Sequence, residues 1–136
     1  MRLHRNIATL MDLGSANTDQ TGNIYEVLPA SEDPVHDGDH AFQVYFALTQ
    51  SGGATSPTVT AKLQTSLDKV NWIDLVTSTV LNQDGSKAET KDAGTASAPM
   101  LTYVRAITLL GGDTKPTHAA NVRLVSIAPF RVKKVA

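Results

Sequence analysis

The 136-residue chain carries 12 Lys and Arg against 13 Asp and Glu, a formal net charge of −1, no Cys, 41% hydrophobic residues and only 5% aromatic ones. This is one domain's length, long enough to bury roughly two-thirds of the unfolded chain's surface, and the lack of Cys excludes disulfides, thiol chemistry and Cys-based zinc sites. Near-neutral charge gives no long-range attraction to phosphate, and no apolar run approaches the roughly 20 residues of a membrane span, so neither a nucleic-acid nor a membrane partner is expected.

Met1 to Arg5 lack the apolar region and small-residue cleavage site of a secretory signal, so an unprocessed protein made in the cytoplasm is expected. Leu3, Ile7, Leu10 and Leu13 suit a short amphipathic helix as well as an irregular strand; residues 1–13 read as an arm that becomes strand near Ala8 to Leu13. Gly14 to Gly22 reads as a turn or loop, Ile24 to Leu28 as a short strand, and Pro29 to Asp39 as an acidic loop punctuated by Pro34 and Gly38. His40 to Gln50 is the clearest strand, with Phe42, Val44, Phe46 and Leu48 on one face and Gln43, Tyr45, Ala47 and Thr49 on the other. Ser51 to Pro57 breaks it.

Thr58 to Ser66 alternates again, with Val59, Ala61, Leu63 and Thr65 inward. Asp68 and Lys69 turn the chain, and Val70 to Leu81 reads as the returning strand of a hairpin, with Val70 and Trp72 on one face and Ile73 and Leu75 on the other. Asn82 to Pro99 is a tract of small polar residues with little apolar surface to offset the entropy of ordering, and reads as a mobile surface loop. Leu101 to Leu110 looks covered on both faces, as a central strand would be. Gly111-Gly112-Asp113 is a turn, Lys115 to Ala119 a connection, and Ala120 to Ile127 the last long strand before Pro129, which cannot donate to a ladder. Phe130 to Ala136 is basic and β-prone, suiting an arm or an edge strand.

Short strands at regular spacing and no long helix predict an all-β fold: an antiparallel β-sandwich, jelly-roll-like or β-tulip, in a single domain over residues 1–136 with extended terminal arms at 1–13 and 128–136. With so few aromatics the core is aliphatic and modest, and self-association would bury remaining apolar faces and protect strand edges.

The charges are segregated. Between Asn6 and Ala61 there is no Lys or Arg, while Asp12, Asp19, Glu26, Glu32, Asp33, Asp37 and Asp39 fall there; after Asp113 the acids stop and Lys115, Arg123, Arg131, Lys133 and Lys134 follow. Arg2 and Arg5 open the chain. Either these charges meet within one fold, or a basic end of one copy lies on the acidic surface of a neighbour, where complementary potentials set register. The second reading makes Arg2, Arg5, Arg131, Lys133, Lys134, Asp33, Asp37 and Asp39 candidates for an oligomer or capsid interface.

Catalytic patterns are absent. His36-Asp37-Gly38-Asp39-His40 has metal-ligand residue types but lacks the continuation of a calcium loop and a distant third His, and reads as turn residues. There is no Gly-x-Ser-x-Gly elbow, no phosphate loop after Gly111-Gly112, and no carboxylate pair set across a cleft. No catalytic residue, metal or cofactor is expected, and the chain does not read as an enzyme. Trp72, the one tryptophan, suits core or inter-subunit packing, with a sugar-stacking surface as the other reading. Arg105, within an apolar strand, needs a carboxylate or carbonyl partner, with a core or interface ion pair as its simplest role.

The run Thr65-Ser66-Leu67-Asp68-Lys69-Val70-Asn71-Trp72-Ile73-Asp74-Leu75, followed some thirty residues later by Tyr103-Val104-Arg105-Ala106 and a Gly-Gly turn, resembles small virion proteins whose hairpin is typically written Ser-x-Asp-Gly-x-x-Trp, with a later Tyr-x-Arg strand. These are the β-sandwich or β-tulip head-decoration, or cement, proteins of tailed bacteriophages. The resemblance covers roughly Ala41 to Ile127, with Lys69 standing where Gly is common. It implies a structural hairpin built on Ser66, Asp68, Trp72 and Arg105. It also implies a non-enzymatic protein that binds the major capsid protein on the capsid exterior, often as a homotrimer, and stabilises the shell. The alternatives are a carbohydrate-binding or receptor-recognition module using Trp72 and the acidic loop, and a tail-tube or tail-terminator subunit.

Overall fold

A computed structural model describes residues 6–29, 42–52, 56–94, 99–112, 115–126 and 130–135, and among them there are ten strands and no helix. In chain order they are β1 (Asn6–Ala16), β2 (Gln20–Thr21), β3 (Tyr25–Pro29), β4 (Phe42–Ser51), β5 (Thr58–Ser66), β6 (Ile73–Thr77), β7 (Gly85–Asp92), β8 (Tyr103–Gly111), β9 (Thr117–Ser126) and β10 (Phe130–Lys134). All pairings between them are antiparallel. One sheet runs β1-β9-β4-β7 and the other β10-β3-β8-β5-β6, with β2 also paired to β8. The chain is an all-β antiparallel sandwich.

Each long strand puts one alternate row inside, as period-two patterning requires. Val44, Phe46 and Leu48 of β4 and Ala120, Val122 and Leu124 of β9 are buried, as are Val59, Ala61 and Leu63 of β5 and Val104, Ala106 and Leu110 of β8. Fully burying one such aliphatic side chain contributes about 1.5–3 kcal/mol, so the core is built from many small increments. Phe46 is the one buried Phe, Tyr or Trp among the described residues. Phe42 and Phe130 meet edge to face, centroids 5.1 Å apart, where β4 of the first sheet lies against β10 of the second. Strand β8 is central in its sheet, though its outward face is only half covered.

Toward one end the apolar rows run into polar side chains that remain inside. Leu48 gives way to Gln50, Ala120 to His118 and Ala106 to Thr108, all buried. His118 Nδ1 lies 2.8 Å from the Ala16 carbonyl, and its Nε2 lies 2.8 Å from Thr108 Oγ1 on the opposite sheet. A carbonyl only accepts, so Nδ1 carries the proton and Nε2 accepts from the Thr108 hydroxyl. Gln50, opposite His118 in the β4–β9 ladder, donates from its amide nitrogen to the carbonyls of Leu81 and Gln83 and so holds the segment that follows β6. Sequence reading placed His118 in a connection; carrying the alternation of Leu124, Val122 and Ala120 two residues back would have put it inside.

Several boundaries differ from the sequence expectations. The segment Gly14 to Gly22 is not all loop, because β1 continues to Ala16 and β2 forms at Gln20–Thr21. Beside β2, the Gly22 N–H donates to the Ala106 carbonyl at 2.7 Å, and a Cβ at Gly22 would sit 3.0 Å from that oxygen. The expected strand Val70 to Leu81 shrinks to Ile73–Thr77, since side chains capture the backbone up to Asn71, and beyond Thr77 only Leu81 makes a bridge, to Val59.

The largest correction is at Asn82 to Pro99, where an expected mobile loop contains β7, paired with β4 over its whole length. Strand β7 is a sheet edge, and the row that would face the core carries Lys87, Glu89 and Lys91. Glu89 accepts from the Thr79 backbone N–H and hydroxyl, and Lys91 Nζ donates to the Thr77 carbonyl at 2.8 Å, so these charges tie β7 to the segment leaving the other sheet. Charged residues on an edge strand deter pairing with other chains, and they also erase the apolar alternation by which strands are recognised.

Candidate functional site

The best-defined local structure outside the core is the connection between β5 and β6. The Ser66 hydroxyl accepts from the N–H groups of Asp68 (3.2 Å) and Lys69 (3.0 Å) and donates to Asp68 Oδ1 at 3.0 Å. Asp68 Oδ1 in turn accepts from the N–H groups of Val70 (2.9 Å) and Asn71 (2.8 Å), while Oδ2 accepts from the Asn71 side-chain amide at 2.7 Å. Ser and Asp side chains offer the backbone such local partners in competition with a ladder, which is why the turn extends to Asn71 and strand β6 starts late. Lys69 holds φ +64, the left-handed conformation that glycine adopts without steric cost. Glycine is common at this place in the motif the sequence resembles, and Lys69 here takes a conformation that glycine favours.

The two sequence pieces that carry the family resemblance meet here. Arg105 lies over the Trp72 ring with its guanidinium carbon 4.3 Å from the centroid, and its Nε donates to Gln64 Oε1 at 2.8 Å. Lys69 Nζ stands 5.2 Å from the Tyr103 ring centroid. Two cation–π contacts therefore fasten the hairpin to β8, each worth on the order of 0.5–1 kcal/mol where water has access. Trp72 is half-buried beneath Arg105 on the sheet's outer side, which removes the core half of its expected packing role, and Arg105 has an expected carbonyl partner in the Gln64 amide oxygen, with a ring rather than an ion pair beside it among the described residues. Among the described residues an ion pair lies one ladder step away, between Lys62 Nζ and Asp74 at 2.8 Å, with Gln64 also donating to Asp74.

Beside Tyr103 the surface dips into a recess of about 260 Å³ lined by Glu26, Lys69, Tyr103, Lys133, Lys134 and Val135. Lys133 faces Glu26 across the β10–β3 ladder, and Glu26 faces Tyr103 across β3–β8. The basic tail is thus the edge strand of the chain's own sheet and brings Lys133 and Lys134 to the hairpin. Arg131 lies farther along β10, opposite Leu28. Arg2, Arg5, Asp33, Asp37 and Asp39, with His36 and His40 of the metal-type cluster, lie outside the described residues. Among the described residues no group of three His, Cys, Asp or Glu is placed to hold a metal ion.

Three carboxylates are held below their ordinary values. Asp68 is lowered by the N–H groups of Asn71 and Val70 and by the side chains of Asn71 and Ser66. Asp74 is lowered by Lys62 and then Gln64. For Glu89 burial acts to raise the value, but the two hydrogen bonds from Thr79, with Lys91 and Lys87 nearby, outweigh it. Burial lowers the Arg105 guanidinium, which nonetheless stays charged. A carboxylate with a folded pKa below its unfolded one contributes stability above the unfolded value and loses it as pH falls through the folded one. The melting temperature should therefore hold between roughly pH 8 and 5 and fall below about pH 4. Glu89→Gln, which keeps an oxygen acceptor toward Thr79 but no charge, should flatten that fall, and a wild-type melting temperature unchanged down to about pH 2 would contradict this account.

No protein-family model matches the chain, and no curated protein matches it. Among solved structures, a chain from the cowpea mosaic virus top component, naturally occurring empty particles, is 14% identical with a TM-score of 0.41, the match covering 96% of this chain and 88% of that one. A chain from the cowpea mosaic virus empty virus-like particle, seen by electron cryo-microscopy, is 15% identical with a TM-score of 0.37, over 96% of this chain and 85% of that one. The assignment as a sandwich rests on the strand topology itself.

Proposed function

We propose that the chain is a structural virion protein that decorates and stabilises the outer surface of a tailed-phage capsid by binding the major capsid protein and its own copies. The observation that supports this reading is the assembled hairpin: Ser66 and Asp68 shape the turn, Lys69 takes the glycine conformation, and Arg105 of the Tyr-x-Arg strand caps Trp72. Motif pieces separated by more than thirty residues form one unit, as a shared architecture requires. The interface candidates on the basic edge strand, Arg131, Lys133 and Lys134, and those at the chain ends, Arg2 and Arg5, together with Asp33, Asp37 and Asp39, belong to this proposal.

A sugar-binding module would need an open aromatic face, and Arg105 lies over one face of Trp72. Electron cryo-microscopy of native particles tests the proposal. Density for this chain on the capsid exterior is the expected result, whereas its location in the tail, or its absence from particles, would overturn it.

A further inference from the structure

We propose that the recess beside Tyr103 is a binding site for a phosphate dianion, free or as the terminal group of a small molecule. This site is independent of the capsid reading and follows from the charges that the fold gathers here. Lys69, Lys133 and Lys134 line the recess, with Glu26 as the one carboxylate residue in the lining. Three ammonium groups against one carboxylate leave a formal charge of +2 in a single concavity. Lys69 comes from the turn between β5 and β6 and the other two from β10, so tertiary structure alone sets them together. Among the described residues no carboxylate lies within ion-pair distance of any of the three, although Glu26 stands opposite Lys133 in the β10–β3 ladder. A cleft lined by one sign of charge concentrates its field and draws the opposite ion.

The backbone at Lys69 is a second, separate sign. Its φ of +64 costs a lysine free energy and costs glycine none. Strain of this kind points to a use for the side chain, and here it sets the ammonium 5.2 Å from the Tyr103 ring centroid, at the recess. The turn's hydrogen bonds and the ring hold that ammonium before any ligand arrives, so less order has to be imposed on binding. The donor set identifies the ligand. Lysines bind phosphate as point charges, whereas the planar fork of a carboxylate is best matched by Arg, and Tyr103 adds a hydroxyl donor. The excess charge of two matches free phosphate or a monoester, while a phosphodiester carries one. At about 260 Å³ the recess is smaller than the roughly 300–1,000 Å³ of clefts that enclose whole ligands, so it takes the head group alone.

Inorganic phosphate at about pH 8, where it is a dianion, is titrated into the full chain at constant ionic strength and followed by amide resonances. Saturable shifts at Lys69, Tyr103, Lys133 and Lys134 are expected. Lys69→Gly should weaken binding roughly threefold or more while the melting temperature stays at or above that of the wild type, because glycine takes φ +64 without strain. Lys133→Ser/Lys134→Ser should weaken it by about tenfold or more. Glu26→Gln should instead tighten it by roughly threefold, a gain that a purely structural role for these residues does not produce. Glycerol phosphate run in parallel separates the two sources: tighter binding than free phosphate marks the terminal group of a larger molecule, and equal or weaker binding marks phosphate itself. No saturable shift, an unchanged affinity in folded Lys69→Gly, or succinate binding as tightly as phosphate would overturn the inference. Full competition by an oligonucleotide lacking a terminal phosphate would overturn it as well, and none of these results bears on the location of the chain on particles.

Discussion

Replacing His118 with leucine is expected to lower the unfolding free energy by about 2–5 kcal/mol, because it strands two partners at once. The Ala16 carbonyl and the Thr108 hydroxyl each accept or donate one bond to the imidazole, at 2.8 Å, and Thr108 is fully buried. An unpaired buried polar group costs roughly 1–3 kcal/mol, and leucine, though similar in bulk, offers neither donor nor acceptor. The bond to Thr108 joins β9 of one sheet to β8 of the other, so the loss falls on the contact that aligns the two layers. A double-mutant cycle checks the cause. Adding Thr108→Val to His118→Leu removes the orphaned hydroxyl, so the pair should cost less than the sum of the single changes. Chemical denaturation measures all three variants, and strictly additive costs would mean that the two side chains do not act through their shared bond.

The second large effect is expected at the hairpin. Asp68→Ala removes the acceptor for the N–H groups of Val70 and Asn71 and for the Asn71 side chain. Because the carboxylate is exposed, water can replace it, and global stability should change little. What should be lost is the shape of the turn. Hydrogen exchange at the Val70 and Asn71 amides should accelerate by roughly tenfold or more as the loop opens locally. Asp68→Asn, which keeps an oxygen toward both amides, should retain most of the protection. Equal exchange in wild type and Asp68→Ala would show that the backbone alone holds the turn.

The strands at β4, β5 and β9 were legible because their inner rows are apolar and their outer rows are mostly not, as with Val59, Ala61 and Leu63 against Thr60, Lys62 and Gln64, and β8 because apolar residues occupy both of its rows. Strand β7 was not legible. Its pairing with β4 supplies the hydrogen bonds, while Lys87, Glu89 and Lys91 occupy the row that would otherwise announce a strand. The end of the Val70 to Leu81 strand was missed for a related reason. Ser66 and Asp68 satisfy backbone groups that a longer ladder would have used, and β-branched residues alone do not reveal that competition. At the candidate site the residues Ser66, Asp68, Trp72 and Arg105 were named from sequence, but their roles were not. Whether Trp72 lies inside the sandwich or outside it depends on which face of β8 carries Arg105, and on the turn that breaks the alternation before β6.

The sequence by itself determined the class of this protein: a Cys-free antiparallel β-sandwich with an aliphatic core, segregated charges and a hairpin motif of recognisable form. Periodicity and composition carry that information because burial acts on each residue separately. The tertiary structure decided the rest. It placed the basic tail as an edge strand beside the hairpin, stacked Arg105 on Trp72, set Lys69 in a left-handed conformation and put His118 between the sheets. Those are properties of pairs far apart in the chain, fixed by sheet register and by which side chain reaches which partner, and no local pattern encodes them.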